Sequence, residues 1–394
     1  MPLVNMRDML QHAHRQGYAV GAFDLVSLDF LQGILAAAEN SRAPVILSLA
    51  ESHFEYFDFT TLMPAVEAAA RRASVPVAIH LDHGASLDSA VRAIRLGCTG
   101  VMVDASTRPF EENVTLTREV VEMAHACGIP VEGELGYVAG VEGEDAERHP
   151  GEVRYTEVAE ASEYVTRSGV DFLAVSIGTV HGRMQGEPDL DIARLREINQ
   201  ALGIPLVIHG GTGLSDNQFQ QLIDNGVAKI NYYTALADAA GRCIRENAGM
   251  DARCGYTGLV RGVAEAVQQE TERCIRLWGG AGRADEIMSF AKPIREVEHV
   301  IVYNTEGIDR QQVDELMCIG RDTLGNIPGV RRVFTGHALQ EDAPYRHCWL
   351  VRFTDPTVVE SYKHHPDHQH YADTHFRPVA GDRISIDFED AKGK

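Results

Sequence analysis

The sequence predicts a (β/α)8 TIM barrel followed by a smaller ferredoxin-like α+β domain. Short apolar runs alternate with helical stretches from residue 1 to about 280. The runs show little polar alternation, as strands buried on both faces do, and eight β–α units fit into that span. From Glu298 the order changes to strand, helix, two strands, helix and strand, the βαββαβ order of a ferredoxin-like unit. The chain therefore divides into a barrel at 1–283, a linker at 284–297 and an α+β domain at 298–394.

The opening stretch MPLVNMRDMLQHAHRQ carries charges and no apolar core segment, so it reads as an amphipathic first helix and not as a secretory leader. Strands are expected at 19–23, 45–49, 77–81, 100–103, 130–135, 172–177, 206–208 and 228–230. Helical patterns lie between them at 28–40, 62–73, 87–96, 113–127, 158–168, 192–202 and 217–225. Pro44, Pro76 and Pro205 stand just before strands and Pro130 opens one, where proline stops the preceding helix from continuing. Two longer helices, 233–247 and 258–277, extend the barrel before the glycine-rich WGGAGR at 278–283. Beyond it, strands are expected at 299–303, 330–337, 347–353 and 383–387, with helices at 309–326 and 357–365.

Composition narrows the function. Hydrophobic residues make up 44% of the 394, enough for a core in each part. A formal net charge of −21 opposes nucleic acid and anionic membranes as partners, though a local site can still take a small anion. No apolar run reaches the roughly 18 residues of a membrane span. Seven cysteines are scattered without CxxC spacing, which fits reduced thiols in a cytoplasmic protein.

In such a barrel the functional groups stand at the carboxyl ends of the strands. The third strand, VAIHLDH, ends in Asp82 and His83. The sixth leads into GTVHG, with His181, and the seventh into HGGTGLS, with His209. Three imidazoles and an open position make a catalytic zinc site; any one of them alone reads as readily as a hydrogen-bonded structural histidine. Asp104 ends the fourth strand, and Glu132 and Glu134 share a face of the fifth. These carboxylates could orient the imidazoles, hold a second cation or form an ion pair inside the barrel. The glycine-rich turn 211–213 and the stretch around Thr234 offer backbone N–H groups to an anion, or simply permit tight packing. Residues 136–153, GYVAGVEGEDAERHPGEV, read as a long structureless loop: a lid carrying Glu142 as a general base, or a solvated charge run.

Taken together, HLDH, VEGELGYVAGVEGE, GTVHG, HGGTGLS and KINYYT resemble the class II (zinc-dependent) fructose-bisphosphate and tagatose-bisphosphate aldolases, over roughly residues 1–280. The resemblance implies one zinc ion per chain on His83, His181 and His209, with Asp104 and Glu134 around it. It implies Asp82 as the acid/base at the C4 hydroxyl and Glu142 as the base that moves the donor's proton. Substrate or phosphate contacts are implied at Asp24, Gly182, Gly210, Gly211, Thr212, Asn231 and Thr234, with a monovalent cation near the phosphate in some members. From about Glu298 the chain resembles the stress-responsive A/B-barrel (Dabb) domain, on EHVIVY, IPGV, YRHCWLVRF, HHPDHQHY and DRISIDF. Such domains pair into a shared β-barrel, which implies a homodimer or homotetramer. Plant polyketide cyclases of this fold use histidines at the positions of His299, His347 and His368, so a second active site stands beside a dimerising or regulatory role.

The expected function is reversible cleavage of a ketose (bis)phosphate to dihydroxyacetone phosphate and an aldehyde through a metal-stabilised enediolate. Four departures from the family pattern bear on the substrate. Asp24 replaces the usual Asn, Ala50 a common Ser, and Gln185 the Lys of HGxYK, while Tyr232 and Tyr233 are bulkier than usual. Arg183 is a candidate substitute for the missing lysine. The alternatives are an aldolase for a sulfosugar, a sugar acid or a singly phosphorylated ketose, or a non-catalytic assembly subunit.

Overall fold

The computed structural model describes residues 2–145, 154–183, 188–251 and 253–389. They form two compact units, one mainly from the chain up to Pro293 and one mainly from Ile294 onward. Among the described residues no helix is long and apolar enough to cross a membrane, and no disulfide links the seven cysteines.

The first unit is a closed, parallel, eight-stranded barrel. Its strands are β1 (Val20–Asp24), β2 (Val45–Ala50), β3 (Val77–Gly84), β4 (Gly100–Val103) and β5 (Val131–Leu135). After a ribbon strand β6 (Gly140–Asp145) comes β7 (Phe172–Val175), and after the ribbon's second strand β8 (His181–Arg183) come β9 (Leu206–Ile208) and β10 (Val227–Tyr232). Helix α1 (Met6–Gln16) precedes the barrel. The connecting helices are α2 (Leu28–Asn40), α3 (Phe59–Arg72), α4 (Leu87–Leu96), α5 (Phe110–Ala126), α6 (Val158–Ser168), α7 (Ile192–Leu202) and α8 (Asp216–Asp224). Four more follow β10: α9 (Thr234–Met250), α10 (Tyr256–Leu259), α11 (Val263–Leu277) and α12 (Ala284–Phe290). Asn5, Ser27, Asp58, Asp191 and Ser215 cap helix starts by accepting backbone N–H bonds.

Register decides which side chains meet the barrel axis, because paired residues of parallel strands face the same side and alternate residues face opposite sides. Asp24 pairs with Ser48, Ser48 with His80, and Ala50 with Asp82. Met102 pairs with Glu132, Glu134 with Ala174, and Val20 with Lys229. Toward the amino ends, Val20, Ile46, Ala78, Phe172, Val207 and Ala228 join Met6, Met9, Leu10 and Ala13 of α1 and Ile287 of α12 in one buried cluster. Burying each large apolar side chain contributes about 1.5–3 kcal/mol, so α1 and α12 act as a plug that leaves the carboxyl end as the open one. Helix α12 falls in the stretch expected as a linker, and its Ile287 is fully buried in that plug.

The second unit is an antiparallel sheet of β11 (Val297–Thr305), β12 (Val330–His337), β13 (His347–Phe353) and β14 (Ala380–Glu389), in the order β12-β13-β11-β14. Its helices are α13 (Arg310–Leu324), α14 (Val358–His364) and α15 (Pro366–Tyr371). One sheet face packs on them: Phe353 lies 4.9 Å from Tyr362 and Trp349 5.8 Å from Tyr371, centroid to centroid. The helix expected at 357–365 is found as α14, and Pro366 starts a further short helix, α15, that the sequence pattern did not announce.

The expectation of a structureless loop over 136–153 needs correction. Residues 140–145 form β6, paired with β8, while 146–153 lie outside the described residues. The pairing works because the chain has no side chain where the two backbones meet. Gly140 has φ 102° and lies against His181, and the His181 N–H donates to the Ala139 carbonyl at 2.7 Å. A Cβ on Gly140 would stand 2.2 Å from the His181 carbonyl oxygen. Gly140→Ala is therefore expected to push β6 off β8, lowering stability by about 1–3 kcal/mol and displacing His181. Thermal unfolding and the His181 imidazole resonances in NMR check both; unchanged resonances would show that β6 does not position His181.

Candidate active site

The three histidines reach one point by three routes. In β3 the inward residues are Ala78, His80 and Asp82, and simple alternation would send His83 outward. Instead His83 has φ 48°, a left-handed conformation costing of order 1–3 kcal/mol for a non-glycine residue, which swings its ring to the mouth. His181 begins β8, and His209 follows β9 directly. Ring centroids are 5.1 Å apart for His83–His181, 4.7 Å for His83–His209 and 5.7 Å for His181–His209. Nitrogens from the three rings lie within 4.8 Å of one another.

Carboxylates take the outward nitrogens. His83 Nδ1 is 2.8 Å from Asp104 Oδ2, and His209 Nε2 is 3.0 Å from Glu132 Oε1. The other nitrogens, His83 Nε2 and His209 Nδ1, are buried without a hydrogen-bond partner; His209 Nδ1 is 3.4 Å from Glu134 Oε2. A buried ring nitrogen without a partner is costly, and carboxylate–histidine pairs that leave the second nitrogen bare are the usual surroundings of a histidine-bound metal. Nitrogen donors in this number suit zinc. The residues present thus fit the ion that the motifs imply.

Charge around the site is finely opposed. Burial raises the Asp82 carboxyl, but His83, Lys229, His209 and His80 outweigh this and hold it well below the usual carboxylate range. Burial lowers His83, yet Asp82 and Asp104 beside it raise it well above an ordinary imidazole. Glu134 is pushed up to about 8, by burial first and then by Asp104. Asn231 Nδ2 donates to Asp82 Oδ1 at 2.9 Å, and Asp82 Oδ2 stands 4.0 Å from His83 Nε2.

The remaining expected residues fall around this centre. Asp24 ends β1, buried, and Ala50 ends β2 directly beside Asp82 in register. Gly210 has φ 71°, and a Cβ there would meet the Val180 carbonyl oxygen at 2.1 Å, so the turns after β7 and β9 touch backbone to backbone. Gly182 lies in β8; Gly211 and Thr212 follow His209, and Thr212 Oγ1 accepts from the Ala235 N–H at 3.3 Å. Thr234 starts α9 and is fully buried. Glu142 lies in β6, but its side chain is outside the described residues, and so is Gln185. Arg183, the candidate substitute cation, is clasped by Asp238 of α9, its Nε donating at 2.9 and 3.1 Å.

Two groups had no role assigned from the sequence. Lys229 is fully buried and donates to Glu132 Oε2 at 2.7 Å, and His80, also fully buried, has Nε2 at 3.8 Å from the same oxygen. The signal was a lysine in the apolar run VAKINY and a histidine two residues before Asp82. In the second unit, His299 and His368 line a cavity of about 220 Å³ with Tyr362. His347 does not join them; its Nδ1 is 2.9 Å from His337 Nδ1.

The chain matches the family model for class-II fructose-bisphosphate aldolase over residues 4–283 and that for the stress responsive A/B barrel domain over 297–390. A probable fructose-bisphosphate aldolase of Bacillus subtilis is 45% identical over 249 residues, 62% of this chain and 86% of that protein. A fructose-bisphosphate aldolase of Geobacillus stearothermophilus is 42% identical over 289 residues, 72% of this chain and 99% of that protein. The crystal structure of the YdjI aldolase from Escherichia coli K12 superposes with a TM-score of 0.65 at 35% identity, over 72% of this chain and 99% of that one. The chain belongs to the class-II fructose-bisphosphate aldolase family, as an aldehyde-lyase barrel followed by a Dabb domain.

Proposed function

We propose that the chain is a zinc-dependent aldolase that cleaves a phosphorylated ketose to dihydroxyacetone phosphate and an aldehyde, and runs the reverse condensation. The observation that carries this reading is the convergence of His83, His181 and His209 beside the Asp82 carboxylate. Zinc held by the three imidazoles would supply a Lewis acid for negative charge developing on the donor's oxygens. In cleavage, the free oxygen of Asp82 accepts the proton of the C4 hydroxyl. The C3–C4 bond breaks, C4 leaves as the aldehyde, and the electron pair stays with the donor. Asn231 fixes the carboxylate for this transfer. Glu142, on the strand paired with β8, then returns a proton to C3. Lys229 is tied to Glu132 and fully buried, so an imine at that lysine forms no part of this scheme.

The donor phosphate fits the backbone N–H groups of Gly211, Thr212 and Thr234, with Gly182 and Gly210 giving close approach. The other end of the substrate lies toward β1 and β2. There Ala50 lies beside Asp82, and the buried Asp24 carboxylate stands one step lower, level with Ser48 and His80, a setting that opposes a second phosphate and favours a singly phosphorylated ketose. A panel of ketose mono- and bisphosphates, read by dihydroxyacetone phosphate release, separates these substrates; no cleavage of any ketose would end the aldolase reading.

Protein prepared without chelators is expected to hold about one zinc per chain. His209→Ala should lose metal and cleavage together, as metal analysis and a coupled assay would show. A variant that keeps both removes His209 from the centre.

A second copy is the proposed partner of the Dabb sheet. Its uncovered face carries Ile384, Ile386 and Phe388, 44–50% exposed, and a cross-strand apolar row Phe334–Leu350–Val300–Ile386. Such a patch marks an interface. Ile386→Asp is expected to shift the protein to a smaller species in sedimentation; an unchanged oligomer would place the interface elsewhere. Reduced cysteines and a phosphorylated sugar substrate agree with a cytoplasmic enzyme.

A further inference from the structure

A buried lysine with no imine to form needs a reason. Lys229 and Glu132 are both fully buried in the barrel interior. Desolvating such a pair costs several kcal/mol per ion, and apolar side chains of similar volume would commonly be as stable or more so. Packing alone therefore does not account for it. The pair is also not isolated. Lys229 Nζ holds Glu132 Oε2 at 2.7 Å, and Glu132 Oε1 stands 3.0 Å from His209 Nε2. The far nitrogen of the same ring, Nδ1, faces the other two histidines without a hydrogen-bond partner. His80 is 3.8 Å from Glu132 Oε2 but makes no hydrogen bond to it, so the ammonium is what fixes that oxygen.

We propose that Lys229, acting through Glu132, is a positioning residue that sets the tautomer and the aim of His209; the proposal rests on the reading of the three histidines as a metal centre. A carboxylate pinned at Oε2 offers Oε1 only as an acceptor. His209 must then carry its hydrogen on Nε2 and present Nδ1 as a lone pair toward His83 and His181. A ring with its hydrogen on Nδ1 could not bind a metal there. Without the ammonium, Glu132 is free to rotate away from His209, and the ring loses both its hydrogen-bond partner and its orientation. The arrangement links two strand positions, Glu132 on β5 and Lys229 on β10, to a ligand on a third, β9.

The test uses the full-length protein. Long-range proton–nitrogen spectra of the metal-free, ¹⁵N-histidine-labelled protein, with His209 assigned by His209→Gln, are expected to show His209 protonated at Nε2. Lys229→Met should weaken zinc binding about 10–100-fold in competition with a chromophoric chelator, and alter the visible spectrum of the cobalt-substituted protein. Lys229→Arg, which keeps the cation, should restore both toward wild type. Wild-type zinc affinity and an unchanged cobalt spectrum in Lys229→Met overturn the proposal. If that variant does not fold, the wild-type spectrum still decides, because a hydrogen on His209 Nδ1 overturns it too. Failure of the wild-type protein to bind zinc at all would instead sink the metal reading on which the proposal stands.

Discussion

The Glu132 carboxylate is the group on which the interior of this barrel turns. It is fully buried, and burial alone would raise it; Lys229 and His209 bring it down to about 2 instead. One oxygen answers a lysine and the other a histidine, so its single charge serves two neighbours. His80 beside it is pushed down to about 3 by burial and by the Lys229 ammonium, and stays neutral. A dry interior tolerates such groups only when each charge has a counterpart. The polar layer is therefore a fixed floor, and the three clustered histidines stand on it.

Above that floor, the site is produced by ordinary strand geometry with one exception. Alternation along β1, β2, β3, β5 and β10 delivers Asp24, Ala50, Asp82, Glu134 and Asn231 to the mouth. The exception is His83, which reaches the mouth only through its left-handed backbone and is then secured by Asp104. The strain and the clasp belong together: the hydrogen bond holds a conformation that the backbone would not choose. On the other side, glycine removes the side chains that would keep β6 and the turns after β7 and β9 apart. The histidine cluster is thus assembled from one strained residue and several missing side chains, all supported by a plugged barrel.

Much of this was legible in the sequence. The eight barrel strands appear within a few residues of where the apolar runs put them, because strands buried on both faces leave an unambiguous signal. The strand-end histidines were legible because they recur in the same place relative to three such runs. Lys229 is legible as sharing the direction of Asn231, two residues on, but its role is not, because only the Glu132 partner on β5 makes it a paired interior charge. The β6–β8 ribbon was not legible either. A segment rich in glycine and acid has no periodicity to announce a strand, and its pairing partner lies about 40 residues away in sequence. In the second unit, HHPDHQHY stood out as a motif, but its proline splits two helices and its histidines point to different neighbours.

In the proposed reaction the two protons fall to different carboxylates, Asp82 for the hydroxyl and Glu142 for the donor carbon. The most direct test is hydrogen exchange into dihydroxyacetone phosphate in deuterated water, followed by NMR with the zinc-loaded protein and its Asp82→Asn and Glu142→Gln variants. The account predicts exchange in the wild type, retained exchange without cleavage in Asp82→Asn, and loss of exchange in Glu142→Gln. Absence of exchange in the zinc-loaded wild type, or its loss in Asp82→Asn with retention in Glu142→Gln, would contradict it.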